Sequence, residues 1–310
     1  MNKLLGLNFG RDKGECSKYL NLAMEAAKQD GADVQIINCC NLKIDRCKGC
    51  GACSSGSRLH GKPVMCVIKD DYEMVKEAIL DADAIIVAAP VYALAPVGQL
   101  KNLTDRLGPA HDRAAMWKEF MKRVDPVPDP KNPSQLKQRD EIGLYQPLDP
   151  REIKQRYVAY ISLGGAQDHH WVSMGLTQMK LFGFPVGMHL VDELDIHGAH
   201  GDQNPRTIMF KARAEKLGHH VASALGQYHR DVPWHGDEKG VCPVCHGRMI
   251  TITRGTNVEC PLCGITGNLV IESGAIKVKF SFAELDRSRF NLTGLLEHTG
   301  YGNLVEPPRS

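Results

Sequence analysis

Residues 3–37 read KLLGLNFGRDKGECSKYLNLAMEAAKQDGADVQII, and this stretch decides the fold. An apolar run, Lys3 to Phe9, leads into a glycine-bearing polar loop. The helix predicted next has one apolar face at i, i+3, i+4, i+7 spacing, formed by Leu20, Ala23, Met24 and Ala27. A β-branched run, Val34 to Ile37, then completes a strand, helix, strand unit.

The same alternation continues along the chain. Further strands are predicted over Ala84 to Ala89, Tyr157 to Leu163 and Val186 to Val191. Further helices are predicted over Tyr72 to Leu80, Gly98 to Leu107, around Val172 to Leu181, and along a face with Leu217, Val221, Ala224 and Leu225. Five apolar strands alternating with helices predict an α/β fold, a flavodoxin-like doubly wound five-stranded parallel sheet, which binds ligands beyond the carboxyl ends of its strands.

Composition limits the classes of function. The 310 residues are 43% hydrophobic with a net charge of +2, which gives no electrostatic footprint for nucleic acid or an anionic membrane surface. The most apolar run, Ala84 to Gly98, is broken by Pro90 and Pro96, so no membrane span is expected. We therefore expect a soluble cytoplasmic protein whose thiols stay reduced.

Two segments interrupt the alternating pattern. Leu107 to Arg156 is predicted to be an insertion that acts as a lid or an oligomer contact, with a helix over Arg113 to Arg123 and a proline-rich part from Asp125 to Pro133. From Tyr228 to Lys239 the composition turns polar. The predicted domains are therefore residues 1–230, and residues 231–310 with a C-terminal tail.

Eight of the eleven cysteines fall into two sets with different spacing. The first set is C-x2-C-x2-C-x12-C, and the second is C-x2-C-x14-C-x2-C. In a reducing compartment, closely spaced thiols favour bound metal over disulfides. The first set is Cys47, Cys50, Cys53 and Cys66, and the second is Cys242, Cys245, Cys260 and Cys263.

The first set is typical of an iron-sulfur centre. Three thiolates spaced at i, i+3 and i+6, with Gly49, Gly51 and Ala52 between them, can surround a 4Fe-4S cubane while Cys66 supplies the fourth ligand. Zinc, or no metal at all, remains an alternative. Cys39 and Cys40 are interpreted as buried structural cysteines.

The second set predicts a zinc ribbon. Two C-P-x-C knuckles, with hairpin segments Arg248 to Thr253 and Asn257 to Glu259, can enclose Zn2+ in a closed structural tetrahedron. A rubredoxin-like iron site is the alternative. Basic residues near the knuckles are sparse, so docking or oligomerisation is favoured over nucleic-acid binding.

The first strand-end loop predicts a phosphate cradle. Between Asn8 and Ser17, glycines let the backbone curl towards an anion at the start of a helix, where Arg11, Lys13 and Ser17 can add donors. The spacing fits neither a dinucleotide fingerprint nor a P-loop. An ordinary turn is the alternative.

Several motifs resemble those of the NADPH-dependent FMN reductase family. They are Pro90-Val91-Tyr92 after the third strand, L-K-x3-D-R from Leu100 to Arg106, and Leu163 to Ala166 after the fourth strand. Cys47 to Cys53 and Cys66 to Tyr72 resemble its iron-sulfur flavoprotein branch. The resemblance covers roughly residues 1–226, with residues 107–156 as an atypical insertion.

The resemblance implies a bound FMN. Its phosphate would be held by Arg11, Gly14, Cys16 and Ser17. Its isoalloxazine ring would lie along Pro90, Val91 and Tyr92, and Gly164, Gly165 and Ala166 would close the other edge. Core packing is the alternative for Tyr92. Members of the family assemble as homodimers or homotetramers, so a homo-oligomer is expected.

The candidate catalytic residues are His169, His170 and Tyr92. A histidine beside the flavin could protonate a reduced substrate, whereas the alternative is helix capping by Asp168 with solvated imidazoles next to it. His189, His197 and His200 form a looser group that is not predicted to bind metal.

Together these observations predict an FMN-dependent oxidoreductase with a 4Fe-4S cluster and Zn2+. NAD(P)H or a protein donor would supply electrons to an electron-poor small molecule such as a quinone or a nitro compound. The alternative is a non-enzymatic electron relay or redox sensor, with the zinc ribbon as its docking module.

Overall fold

A computed structural model describes residues 2–53, 65–116, 149–237 and 240–298. Its main sheet has five parallel strands in the order β2-β1-β3-β4-β5, the strand order of a flavodoxin-like doubly wound sheet. This confirms the predicted fold class. The strands are β1 Lys3–Asn8, β2 Asp33–Asn38, β3 Ala84–Tyr92, β4 Arg156–Leu163 and β5 Met188–Ile196.

Helices cover both faces of the sheet. On one face α1 and α5 pack together, and Gly218 of α5 lies so close that an added Cβ would come 2.0 Å from the carbonyl oxygen of Ala23. On the other face lie α2, α3 and α4. The helices are α1 Glu15–Gln29, α2 Tyr72–Asp81, α3 Gly98–Ala110, α4 Gly175–Met179 and α5 Pro205–Ala224.

Two predicted elements differ in extent. Strand β5 continues to Ile196, well past the predicted end at Val191, because Asp192 and Glu193 are buried in ion pairs although they interrupt the apolar pattern. The helix predicted around Val172 to Leu181 is shorter. It consists of α4 and a 3-10 turn, Lys180–Phe182.

The C-terminal part forms a separate antiparallel sheet beside the second cysteine set. Its order is β9-β8-β7-β6, with β6 Thr251–Arg254, β7 Asn257–Glu259, β8 Thr266–Glu272 and β9 Ala275–Phe280. Helices α6 Phe282–Asp286 and α7 Leu292–His298 follow. The β8–β9 hairpin was not predicted from sequence, although Ser273 and Gly274 at its turn, both with positive φ, are its local signal. The domain boundary at residue 230 stays a prediction.

Part of the predicted insertion lies outside the described residues. Residues 113–116 are helical, as expected for the start of the predicted helix, whereas residues 117–148, with the proline-rich segment, are outside the described ranges. In the described part of the chain, no helix is long and apolar enough to cross a membrane.

Candidate functional site

The side chains of Asn8 and Asn38 hold the loop after β1 in place. The Asn8 side chain accepts a hydrogen bond from the Gly10 N–H at 3.0 Å and donates one to the Asn38 side chain at 2.9 Å, which ties the ends of β1 and β2 together. An added Cβ at Gly10 would lie 2.6 Å from the Cys16 Cβ, so the loop needs glycine there. The backbone is thus held in a fixed curve at the start of α1.

The predicted phosphate donors differ in accessibility. Arg11 and Lys13 are exposed, and Gly14 and Ser17 are half-buried. The Cys16 side chain is only 3% exposed and packs in the core, and burial raises the pKa of its thiol to about 12. Cys16 can therefore offer an anion its backbone N–H but not its side chain.

The loop after β3 is a tight turn without glycine. Ala93 and Leu94 have φ values of 48° and 73°, and Ala95–Pro96 pairs back on Val91 and Tyr92. Such left-handed residues carry strain that is concentrated at functional sites. The Tyr92 side chain is 63% exposed, so core packing is excluded, whereas Pro90 and Val91 are buried and support the turn from below.

The loop after β4 is hydrogen-bonded to the end of β5 and to the loop that follows it. The Gly164 N–H donates to the Ile196 carbonyl at 2.9 Å, the Gly198 N–H donates to the Ala166 carbonyl at 2.8 Å, and His200 Nε2 lies 2.7 Å from the Gly165 carbonyl oxygen. An added Cβ at Gly164 would meet Val172 at 2.0 Å and Val91 at 3.8 Å. The loops after β3 and β4 therefore lie against each other.

The three loops meet at the carboxyl edge of the sheet, as the ligand rule for this fold predicts. Their exposed apolar side chains are Tyr92, Leu94 and Trp171. At Gly165 an added Cβ would meet no neighbour within 4 Å among the described residues, so the backbone is open there. An apolar wall with accessible backbone groups fits a flavin ring.

The two candidate histidines of the β4 loop have different surroundings. His169 Nε2 lies 3.2 Å from Asp195 Oδ2, and its ring is in edge contact with His197 at 5.8 Å. His170 is exposed and lies beside Trp171. The Asp168 side chain makes no capping hydrogen bond to described residues, so the capping alternative is not supported.

The group predicted from His189, His197 and His200 does not assemble. His189 lies at the amino end of β5, where its ring stacks on His229 at 4.9 Å, whereas His197 and His200 follow the carboxyl end of the same strand. The length of this one extended strand separates them, because a strand rises about 3.3 Å per residue.

The second cysteine set forms a compact, buried centre. All four sulfur atoms lie within 4.8 Å of one another, with Cys242 Sγ 3.5 Å from Cys263 Sγ and Cys245 Sγ 3.6 Å from Cys260 Sγ. A tetrahedral ion with metal–sulfur bonds of about 2.3 Å places its sulfurs about 3.8 Å apart. The geometry therefore fits a single metal ion with no open coordination position.

Each knuckle closes with a left-handed residue. His246 and Gly264 follow the second cysteine of each C-x2-C pair with φ values of 53° and 73°. Their N–H groups donate to the carbonyls of Cys242 and Cys260 at 3.1 and 2.8 Å. The two halves thus have the same turn, and His246 takes the glycine position while stacking on Trp234 at 4.0 Å.

A buried lysine joins this centre to the main sheet. Lys180 Nζ lies 2.6 Å from Glu193 Oε2 on β5 and donates to the carbonyls of Cys245 and His246 at 2.9 and 3.3 Å. Burial raises the pKa of Glu193, and the Lys180 ammonium opposes this. Sequence reasoning missed this residue, because a lone lysine in an apolar helix gives no signal of its partners.

Hydrogen bonds involving Arg106 and Asp70 join the two ends of the loop that carries the first cysteine set. Arg106 donates to both Asp70 oxygens, at 2.5 and 2.9 Å, and to the Asp45 carbonyl, and its guanidinium lies 4.1 Å from the centre of the Tyr72 ring. Asp70 also accepts from the Asp45 N–H at 2.8 Å. The arginine of the L-K-x3-D-R motif therefore holds the two ends of the cysteine loop together.

The first set is more open than the second. Cys47 and Cys50 are exposed, and Cys53 and Cys66 are half-buried. Burial raises the pKa of Cys53, and the other three thiols lie near enough to raise it further. Among the described residues, only the second set brings three or more possible ligand atoms within 4.8 Å. Cys39 is buried, with a pKa raised by burial to about 12, and Cys40 is half-buried.

Comparison with known proteins agrees with this architecture. Residues 3–121 match the family model described as NADPH-dependent FMN reductase. The chain is 27% identical to flavone synthase cfoJ of Aspergillus candidus over 276 residues, 86% of this chain and 78% of that protein. It is 38% identical over 105 residues to an iron-sulfur flavoprotein of Methanosarcina thermophila, 34% of this chain and about half, 51%, of that protein.

The fold also has a solved counterpart. A structure described as a flavone reductase superimposes with a TM-score of 0.73 at 24% identity, covering 96% of this chain and 88% of that chain. The residues that match the NADPH-dependent FMN reductase family model, 3–121, lie in the N-terminal, flavodoxin-like part of the chain, and the solved structure shows the same fold.

Proposed function

We propose that this protein is an FMN-dependent oxidoreductase that passes electrons from NAD(P)H, or from a protein donor, to an electron-poor small molecule. The observation that carries the proposal is the arrangement of loops at the carboxyl edge of the sheet, here called the flavin slot, where Tyr92 and Trp171 are exposed and an added Cβ at Gly165 would meet no described neighbour. Acceptors of this class include quinones, nitro compounds and flavone-type conjugated ketones. The last are added because two relatives have flavone in their names.

Different residues of the slot would bind different parts of FMN. The braced loop after β1 would bind the phosphate through Arg11, Ser17 and backbone N–H groups at Gly14 and Cys16. Tyr92, raised on the turn that Pro90 and Val91 support, would contact the isoalloxazine ring. Backbone groups at Gly164, Gly165 and Ala166 would meet its other edge. Bound FMN supplies the hydride chemistry, and these residues orient it and exclude water from one side.

The two cysteine sets would hold different metals. The compact, buried second set suits one Zn2+ in a structural role. The first set, Cys47, Cys50, Cys53 and Cys66, is proposed to hold a 4Fe-4S cluster, because a cubane needs a wider arrangement of thiolates than a single ion and the loop that bears them is clamped at its base. Electrons would then pass singly between cluster and flavin.

The test begins with protein purified without oxygen and incubated with FMN. FMN binding is measured by flavin fluorescence, iron, sulfide and zinc are assayed per chain, and NADH or NADPH oxidation is followed with each acceptor. We expect one FMN, one zinc, four irons and acceptor-dependent turnover. Tyr92→Ala should weaken FMN binding, whereas Tyr228→Ala, at an exposed tyrosine that the proposal does not use, serves as the control.

Each part of the proposal can fail separately. Protein that neither binds FMN nor oxidises a nicotinamide contradicts the enzyme proposal. Zero iron in protein made with ample iron removes the cluster but leaves the flavoenzyme.

A second candidate function is favoured by the ribbon surface. Ile271 and Ile276, which face each other across β8 and β9, are 80% and 74% exposed, and Phe282 is 90% exposed. Such a surface suits docking of a redox partner or of another subunit, in a dimer or tetramer. Tight FMN binding without turnover on any acceptor would favour this electron-relay function over the enzyme.

A further inference from the structure

A polar cluster lies where β4 and β5 end, beside the proposed flavin slot. It consists of Ser162 on β4, His169 in the following loop, Asp195 on β5 and His197 just after β5. Within the described residues, His197 Nδ1 is buried and has no hydrogen-bond partner. Buried polar groups are normally satisfied, so unsatisfied ones call for an explanation beyond folding.

The pairing of His169 with Asp195 is not needed to hold the loop. The loop after β4 is already fixed by backbone hydrogen bonds at Gly164 and Gly198 and by His200. His169 is 41% exposed while its partner carboxylate is 13% exposed, so one side of the imidazole faces the protein and the other is accessible. This arrangement leaves the ring oriented and reachable.

A metal site does not account for the cluster. The atoms of His169, Asp195 and His197 that could bind a metal do not all come within 4.8 Å, since in the described part of the chain only the second cysteine set does so. The 3.2 Å contact between His169 Nε2 and Asp195 Oδ2 is instead the approach of a single ring nitrogen to a carboxylate oxygen.

We propose that Asp195 is a positioning residue that holds His169 with Nδ1 turned away from β5, so that His169 delivers the proton that accompanies reduction of the acceptor. This inference rests on the proposed function. A carboxylate on one ring nitrogen fixes the orientation of the imidazole and stabilises its charged form, while the opposite nitrogen is left for the substrate. No described residue is a partner of His169 Nδ1.

The step balances in protons and electrons. The acceptor gains two electrons as hydride, supplied by reduced FMN that NAD(P)H or the protein donor has reduced, and one proton from the Nδ1–H of the His169 imidazolium. The N–H bond breaks and an O–H, N–H or C–H bond forms on the acceptor. The imidazole becomes neutral, Asp195 remains a carboxylate, and the exposed ring regains a proton from water.

The charges that face this pair come from several elements. His197, just after β5, is in ring contact with His169, and the side chain of Ser162 on β4 interacts with Asp195. Burial raises the pKa of Asp195, while Ser162, His169, His197 and Arg248 oppose that rise. Replacing the carboxylate by an amide therefore removes the negative charge next to the ring while it keeps the shape of the side chain.

The test compares Asp195→Asn, His169→Gln and their double variant in the full chain. The first readout is NMR of histidine ring nitrogens without FMN, where His169→Gln identifies the His169 signals among the thirteen histidines. We expect Asp195→Asn to change the Nε2 signal of His169. The second readout is turnover against pH. We expect about a 100-fold loss in each single variant and no further loss in the double variant.

A matched control and a binding measurement isolate the effect. Asp202→Asn removes a carboxylate from the loop after the same strand, where it pairs with Lys211 at the surface, and should leave turnover and ring signals unchanged. FMN affinity should stay within about twofold of wild type in Asp195→Asn, because the carboxylate positions a proton donor rather than the cofactor.

The outcomes separate this inference from the proposed function. A wild-type protein that binds no FMN and reduces no acceptor overturns the proposed function. A wild-type protein that turns over normally, with His169 signals and pH profile unchanged by Asp195→Asn, overturns the positioning role alone. Additive losses in the double variant also overturn it, since residues acting through one another are not additive.

Discussion

Replacing Lys180 by methionine should separate the cysteine centre from the main sheet. Lys180 is 2% exposed, and its ammonium bridges Glu193 on β5 to the carbonyls of Cys245 and His246 in the first knuckle. Methionine has a similar length and is apolar, so the change removes the charge and three donors with little loss of volume.

The expected loss of stability comes mainly from the buried Glu193 carboxylate, which loses its partner. Breaking a buried ion pair by removing one partner costs about 3–5 kcal/mol, because the other charge remains buried. The two carbonyls that lose their donor are part of that cost. In Lys180→Met/Glu193→Leu no charge is stranded, so the penalty should fall to about 1–3 kcal/mol from the carbonyls alone.

The cost should also depend on pH. Burial already raises the pKa of Glu193, and without the ammonium it rises further. A carboxyl whose folded pKa exceeds its unfolded value binds more protons in the folded state, so stability falls as pH rises above the unfolded pKa of about 4.3. The deficit of Lys180→Met should therefore be larger at pH 8 than at pH 5.

Urea unfolding measures the free energy of unfolding. Trp234 fluorescence reports on the contact between the cysteine centre and the rest of the chain, because the Trp234 ring stacks on His246 of the knuckle at 4.0 Å. Lys154→Met removes a partly exposed pair with Asp83 and should cost about 1 kcal/mol or less. An unfolding midpoint and Trp234 signal in Lys180→Met equal to those of Lys154→Met would refute the reasoning. So would a deficit that does not change with pH.

Three further changes test other parts of the structure. Asp70→Asn should cost about 2–4 kcal/mol at pH 7. Although burial opposes it, Arg106 and backbone N–H groups hold the pKa of Asp70 below its usual range, so the deficit in urea unfolding should begin to shrink as pH falls below about 4 and should vanish only below the lowered pKa of Asp70. Cys245→Ser should remove one metal ion per chain by elemental analysis, whereas Cys40→Ser should remove none. Gly218→Ala should lower stability by about 1–3 kcal/mol or more in the same unfolding assay, unlike Gly98→Ala, where the added methyl meets no described neighbour within 4 Å.

The sheet was predictable because its signal is local. Each strand is a short apolar run next to a helix with a regular apolar face, and parallel strands read this way wherever both faces are covered. The predicted end of strand β5, Val191, is too early. The acidic residues beyond it, Asp192 and Glu193, are paired with Arg213 and Lys180, which come from other segments of the chain. The strand propensity of a residue carries no information about an ion-pair partner that only the folded chain brings close.

The candidate site was predictable in its loops but not in its side chains. Strand ends place the loops after β1, β3 and β4 together, so Tyr92 and His169 were expected at one edge. The burial of Cys16 and the pairing of His169 with Asp195 depend on which way each chain segment enters the sheet. These are properties of register and direction, which residue spacing does not show.

The sequence by itself determined the five-stranded flavodoxin-like fold and the second set of ligating cysteines, because apolar periodicity and C-x2-C spacing are each complete within a short stretch. Tertiary structure alone decided how those parts are joined. Lys180 couples the cysteine centre to β5, Arg106 clamps the first cysteine loop, and Asp195 faces His169. Each is a contact between polar groups distant in sequence, which only the folded chain brings together.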